Sequence, residues 1–206
     1  MEKVSTPVQK RRLVNWSTRD ILVTAVVGIV FGLFLTGANY VYLFLIAPFG
    51  PIVQWSWNGL WFIPPLFMVY VSRKPGSGFL ASVIAGLVQI PFTPFAATAV
   101  LGGVIFGVIA ELTLFIFTRY RSFGFVRMAL VGLVSGVILV AALGSLYKIF
   151  ALDALAVLLT LLATVVGCIV CAVLARVLAD AVARTGVFSG MALVAHRGAE
   201  AEEEEA

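Results

Sequence analysis

The stretch Val104-Ile105-Phe106-Gly107-Val108-Ile109-Ala110-Glu111-Leu112-Thr113-Leu114-Phe115-Ile116-Phe117-Thr118 holds one charged residue, Glu111, with apolar sequence on both sides. A run this apolar reads as part of a helix in hydrocarbon, not as a surface helix with one polar stripe. An acidic residue at the centre of such a helix costs about 2.5–3.5 kcal/mol on insertion scales. Glu111 therefore calls for a partner, a proton or a cationic ligand.

The rest of the chain has the same character. Of its 206 residues, 62% are hydrophobic and 12% charged, and the mean hydropathy is +1.09. Soluble domains hold about 45–50% apolar residues, so most of this apolar surface must face lipid. Six apolar segments can be read, over 21–47, 57–72, 78–91, 99–118, 128–147 and 154–175. A span needs about 20 apolar residues. The first, fourth, fifth and sixth segments meet this. The second and third are short, so each borrows flanking residues or one of them is re-entrant. The first segment is too long for a signal-peptide core and is followed by no small-residue cleavage site, so it reads as a mature helix.

Lysine and arginine set the expected orientation. With the N-terminus inside, all of the 14 basic residues except Lys148 fall at inner positions. The sequence thus predicts an all-α integral membrane protein with six transmembrane helices and both termini cytoplasmic. Residues 1–19 read as a basic cytoplasmic arm, 20–188 as a six-helix membrane domain, and 189–206 as a disordered acidic tail. The net charge of +4 is a topology signal; the basic residues are dispersed at helix ends and do not form a nucleic-acid surface.

Several chemistries lack their residues. There is no phosphate-loop motif; Pro75-Gly76-Ser77-Gly78 has neither the spacing nor the lysine and reads as a turn. His196, the only histidine, lies in the tail, so no triad and no histidine-based metal site is expected. Cys168 and Cys171 sit in apolar sequence and read as small buried hydrophobes. No second intramembrane carboxylate accompanies Glu111 for a proton relay. No catalytic residue, metal or cofactor is expected, and any ATP hydrolysis belongs to separate subunits.

Two ridges of small residues stand out. In the first segment Thr24, Gly28, Gly32 and Thr36 share one helix face, which suits packing within the chain or docking of another membrane protein. In the fourth, Ala99, Gly103 and Gly107 precede Glu111 on one face, and the third offers Ala81, Ala85 and Gln89 in the same pattern. Small residues on the outer side of Glu111 would leave space, and its side chain would tilt outward into it. Polar and aromatic residues crowd the outer third: Asn39, Tyr40, Tyr42, Gln54, Trp55, Trp57, Asn58, Trp61 and Tyr147. The tryptophans and tyrosines fit an interfacial belt. A belt does not require Asn39, Gln89 and Glu111 beside it, and together the set describes a pocket for a small polar aromatic or cationic ligand.

Gly59-Leu60-Trp61-Phe62-Ile63, Arg73-Lys74-Pro75-Gly76, Gly107-Val108-Ile109-Ala110-Glu111-Leu112, Tyr120-Arg121-Ser122-Phe123-Gly124 and Arg184-Thr185-Gly186-Val187, in this order, resemble the YkoE family. Its members are substrate-binding S components of energy-coupling-factor (ECF) vitamin transporters. The resemblance covers roughly residues 16–188. It implies import of thiamine or its hydroxymethylpyrimidine precursor across the bacterial plasma membrane. It also implies ligand capture near the outer face and partnership with a transmembrane coupling protein and two ATPase subunits. It implies docking of the coupling protein on Thr24, Gly28 and Gly32. The expected substrate-binding residues are Glu111, Gln89, Asn39, Tyr40, Trp55, Trp57, Asn58, Trp61 and Tyr147, with the carboxylate balancing a thiazolium cation or accepting from a pyrimidine amine. Two alternatives stay open. One is a self-sufficient small secondary transporter or channel using Glu111 as a cation or proton site; the other is a non-catalytic membrane scaffold.

Overall fold

The computed structural model describes residues 16–120 and 122–186. Among them there is no strand. The chain forms α1 (Thr18–Val41), α2 (Pro51–Trp57), α3 (Ile63–Ser72), α4 (Ser77–Gln89), α5 (Ala96–Thr118), α6 (Phe125–Leu143) and α7 (Ala154–Arg184). A π-helical turn, Tyr42–Ile46, and a 3-10 turn, Ala47–Phe49, continue α1. A 3-10 stretch, Asn58–Phe62, joins α2 to α3. Most of residues 1–19, and the whole of 189–206 with His196, lie outside the described residues.

The helix ends follow from local sequence. Ser17 and Asp20 form a capping box at the start of α1: the Asp20 amide donates to Ser17 Oγ at 3.2 Å and the Ser17 amide to Asp20 Oδ2 at 2.8 Å. Asp20 also pairs with Lys74, which fastens the start of α1 to the turn between α3 and α4. That turn needs left-handed backbone at both ends, supplied by Arg73 (φ 52°) and Gly76 (φ 85°). Tyr70 Oη donates to Asp180 Oδ1 at 2.8 Å, tying the end of α3 to the end of α7. The chain therefore enters and leaves at one end of the bundle, the terminal end. The segments 42–58, 90–95 and 144–153 lie at the other, the distal end.

α3 explains the short second segment. Every residue from Ile63 to Ser72 is buried, with α1, α4, α5 and α7 packed around it. A helix enclosed by protein shows no polar stripe and needs no long lipid-facing run. Pro64 and Pro65 fall in its first turn, where a missing N–H leaves no hydrogen bond unmade. α4 is short as well. Four spans are long and apolar enough to cross a membrane alone: Thr18–Phe49, Ala96–Thr118, Phe125–Leu143 and Ala154–Arg184.

Close helix contacts sit at small residues. A methyl added to Gly103 would stand 2.6 Å from Ser82 O, and one on Gly86 2.7 Å from Ala99 O, so α4 and α5 meet backbone to backbone. The same is true of Gly59 and Gly167, where the 3-10 stretch crosses α7. The ridge of Thr24, Gly28 and Gly32 belongs to this set, packed within the chain. Thr24 is fully buried, and its hydroxyl donates to Asp20 O at 2.7 Å. A methyl on Gly28 would lie 2.8 Å from Ile84 Cβ, and one on Gly32 2.8 Å from Val88 Cβ. α4 fills the ridge. The face that α1 turns outward carries Leu22, Val26, Val30 and Leu33.

Candidate functional site: an aromatic and amide cavity at the distal end

A cavity of about 320 Å³ opens at the distal end, between the 42–61 segment, α5 and α6. Four of its sides have separate origins. The end of α1 and the π-turn supply Asn39 and Tyr42. α2 and the 3-10 stretch supply Gln54, Trp55, Trp57, Asn58 and Trp61. The start of α5 gives Thr98, Gly102, Ile105 and Phe106, and the end of α6 gives Leu139 and Leu143, with Tyr147 just beyond. Gly50, at φ 82°, and Pro51 turn the chain sharply after α1 and start α2, which carries the tryptophans back over the bundle end.

Rings brace one another around the space. Trp61 stacks on Phe106 with centroids 5.9 Å apart, and Phe106 meets Phe62 edge to face at 5.0 Å. Trp55 meets Tyr147 edge to face at 5.8 Å. Such pairs favour offset or T-shaped geometry because of the ring quadrupoles. Gln54 donates from Nε2 to Ala47 O at 2.6 Å and accepts weakly from Tyr42 Oη at 3.4 Å, so one side chain holds the π-turn against α2. None of the lining residues carries a formal charge.

The structure brings Asn39, Trp55, Trp57, Asn58, Trp61 and Tyr147 together on this lining, as the sequence suggests. Gln89 stands directly behind it, fully buried, with Asn39 Nδ2 donating to Gln89 Oε1 at 2.8 Å. Tyr40 does not belong to the lining: it is exposed, and its hydroxyl donates to Phe92 O at 2.7 Å. Sequence reading missed Phe95, Thr98, Ile105, Phe106, Leu139 and Leu143. In a chain this apolar, nothing separates a lining phenylalanine or leucine from a packed one.

Glu111 stands apart from this group. It lines no part of the cavity. The nearest lining residue on the same helix, Phe106, lies five positions earlier, about 7.5 Å along the axis. Glu111 Oε1 instead accepts from the amides of Gly78, at 2.9 Å, and Phe79, at 3.3 Å. These are unsatisfied donors of the first turn of α4, where the helix dipole favours negative charge. Glu111 Oε2 accepts from the Tyr120 hydroxyl. Burial, and after it the neighbouring carboxylate, push the Tyr120 phenol above its ordinary range, so it stays a donor. The glycines above Glu111 leave no open space, because the α4 backbone occupies it: Gly103 abuts Ser82 O, and a methyl on Gly107 would stand 3.1 Å from Phe79 Cα.

The fold and cavity define a class. The structure superposes on a crystal structure of an S component of an ECF transporter with a TM-score of 0.84 and 26% sequence identity, covering 93% of this chain and 98% of that one. Residues 19–138 match the family described as the permease component of an ABC-type cobalt transport system. The chain belongs to that family and is an ECF S component of the YkoE type. It is 28% identical over 182 residues, 87% of its own length and 90% of the other's, to YkoE of Bacillus subtilis (strain 168), a protein designated an HMP/thiamine permease. It is thus a multi-pass membrane subunit of a transporter. Cobalt stands in the family's description only: among the described residues no group of three or more His, Cys, Asp or Glu side chains is placed to hold a metal ion.

Proposed function

We propose that the distal cavity captures an aminopyrimidine, either hydroxymethylpyrimidine or thiamine, for import. One observation carries this reading: a lining of tryptophan, tyrosine and amide side chains with no formal charge, around a space of about 320 Å³. Small-molecule sites are of this size and pair an apolar, aromatic wall with a few polar groups. A planar pyrimidine fits between indole faces, and amides suit its polar edge. The thiazolium cation of thiamine would rest on aromatic faces instead of a carboxylate. The name of the B. subtilis relative supports the same substrates.

The positive-inside asymmetry, with Lys148 the one lysine or arginine at the distal end among the described residues, supports placing the cavity outward and both termini in the cytoplasm of a bacterial cell. Delivery inward then requires a transmembrane coupling protein and two ATPase subunits, since no nucleotide motif occurs in this chain. Titration of the purified protein with hydroxymethylpyrimidine and with thiamine, read by tryptophan fluorescence and calorimetry, tests the reading. Saturable binding by either supports it, and absence of binding by both removes it. Uptake by the protein alone in liposomes, without an ATPase, would replace it with a self-sufficient transporter. The engaged state of Glu111 gives that alternative no support.

A further inference from the structure

Backbone carbonyls dictate the polarity of the cavity amides. Gln89 faces Ala85 O with its side-chain amide at 2.8 Å. A backbone carbonyl only accepts, so the Gln89 atom facing it must be Nε2. The oxygen of Gln89 is then the end facing Asn39, and it demands a donor, which Asn39 Nδ2 supplies at 2.8 Å. The carbonyl oxygen of Asn39 is left as the opposite end, and no described residue donates to it. Turning either amide over would set oxygen against oxygen. With Gln89 at 0% and Asn39 at 5% exposure, water does not relieve that conflict. The neighbours follow the same rule. Gln54 donates to Ala47 O at 2.6 Å, Asn58 to Trp55 O at 3.3 Å and the Thr98 hydroxyl to Phe95 O at 2.6 Å.

We infer that Asn39 is a specificity-determining acceptor, its oxygen aimed by the Ala85–Gln89 relay to receive an N–H donor, so that the cavity selects planar heterocycles bearing an exocyclic amine. This rests on the aminopyrimidine reading above and names the group by which the ligand is chosen. Gln89 touches no ligand and acts as a positioning residue. A heterocycle with hydrogen in place of the amine leaves Asn39 Oδ1 unpaired on a desolvated wall, and one with a ring carbonyl there opposes two acceptors.

The test compares hydroxymethylpyrimidine carrying its exocyclic amine with the analogue bearing hydrogen at that carbon, on the intact purified protein, by calorimetry. The expected preference for the amine is at least about tenfold. In Gln89→Met, similar in size but without the relay, affinity for the aminated ligand falls about tenfold while the analogue binds as before, so the two come within about threefold. Asn39→Ala, at the cavity wall, gives the same collapse and covers the case in which Gln89→Met does not fold. Equal binding of both ligands by the unaltered protein overturns the inference and leaves the functional reading standing. A full preference retained in Gln89→Met removes Gln89 as the positioning residue. Absence of binding by both ligands overturns the functional reading and this inference together.

Discussion

The two ends of the bundle handle buried polar groups in opposite ways. At the terminal end, Glu111 takes two amides of α4 and the Tyr120 hydroxyl, Asp20 takes the α1 cap and Lys74, and Asp180 takes Tyr70. These acceptors are engaged inside the chain. At the distal end Asn39, Gln54 and Asn58 turn their amide nitrogens to protein carbonyls; Gln54 Oε1 takes the Tyr42 hydroxyl, and no described residue donates to the side-chain oxygens of Asn39 and Asn58. The three carboxylates hold the fold together, and in the proposed reading the neutral amides serve a ligand. The residual hydrogen-bonding capacity of a buried group separates structure from site better than its charge does.

The comparison breaks most readily at the helix crossings. Gly28→Leu with Gly32→Leu forces side chains into Ile84 and Val88, and overpacking of this kind costs about 1–3 kcal/mol per site. The expected outcome is loss of monodisperse, folded protein in detergent, seen by size exclusion and thermal melting. A folded monomer that fails only to assemble with its coupling partner would restore the docking role of the ridge.

Next in size is Trp61→Ala. It removes the ring stacked on Phe106 and one wall of the cavity. Ligand affinity is expected to fall about tenfold or more, near 1.4 kcal/mol, with the melting temperature little changed. Unaltered affinity in a calorimetric titration would take Trp61 off the ligand's path.

Glu111→Gln sharpens the contrast. It keeps an acceptor for the α4 amides and removes the charge, so stability should fall by about 1 kcal/mol. Ligand affinity should stay within about twofold. A tenfold loss of affinity without loss of stability would return Glu111 to the ligand site. Tyr40→Phe is the smallest change. It deletes a bond to Phe92 O outside the cavity, and binding should not move; a clear loss would show that the lining extends to the rim of α1.

The helices were legible because hydrophobic length acts through the membrane, a solvent whose demands appear in composition alone. Much of the lining was legible too, since tryptophans and amides concentrated between Asn39 and Trp61 are conspicuous in an apolar chain. Glu111 and the Thr24–Gly28–Gly32 ridge show one gap in what a sequence displays. Periodicity shows which residues share a face, but not which neighbour occupies it. The same spacing of small residues serves an empty cleft, a partner's surface or a crossing helix.

The sequence by itself therefore determined the membrane class, the helical segments and the aromatic, amide-rich character of one bundle end. These depend on composition and on local periods. Tertiary structure alone decided that α4 begins beside Glu111 and consumes its charge. It alone set Gln89 behind Asn39 and turned that amide's oxygen away from its anchor. Both outcomes depend on contacts between segments far apart in the chain, and the orientation of an amide is fixed only by the atoms that face it.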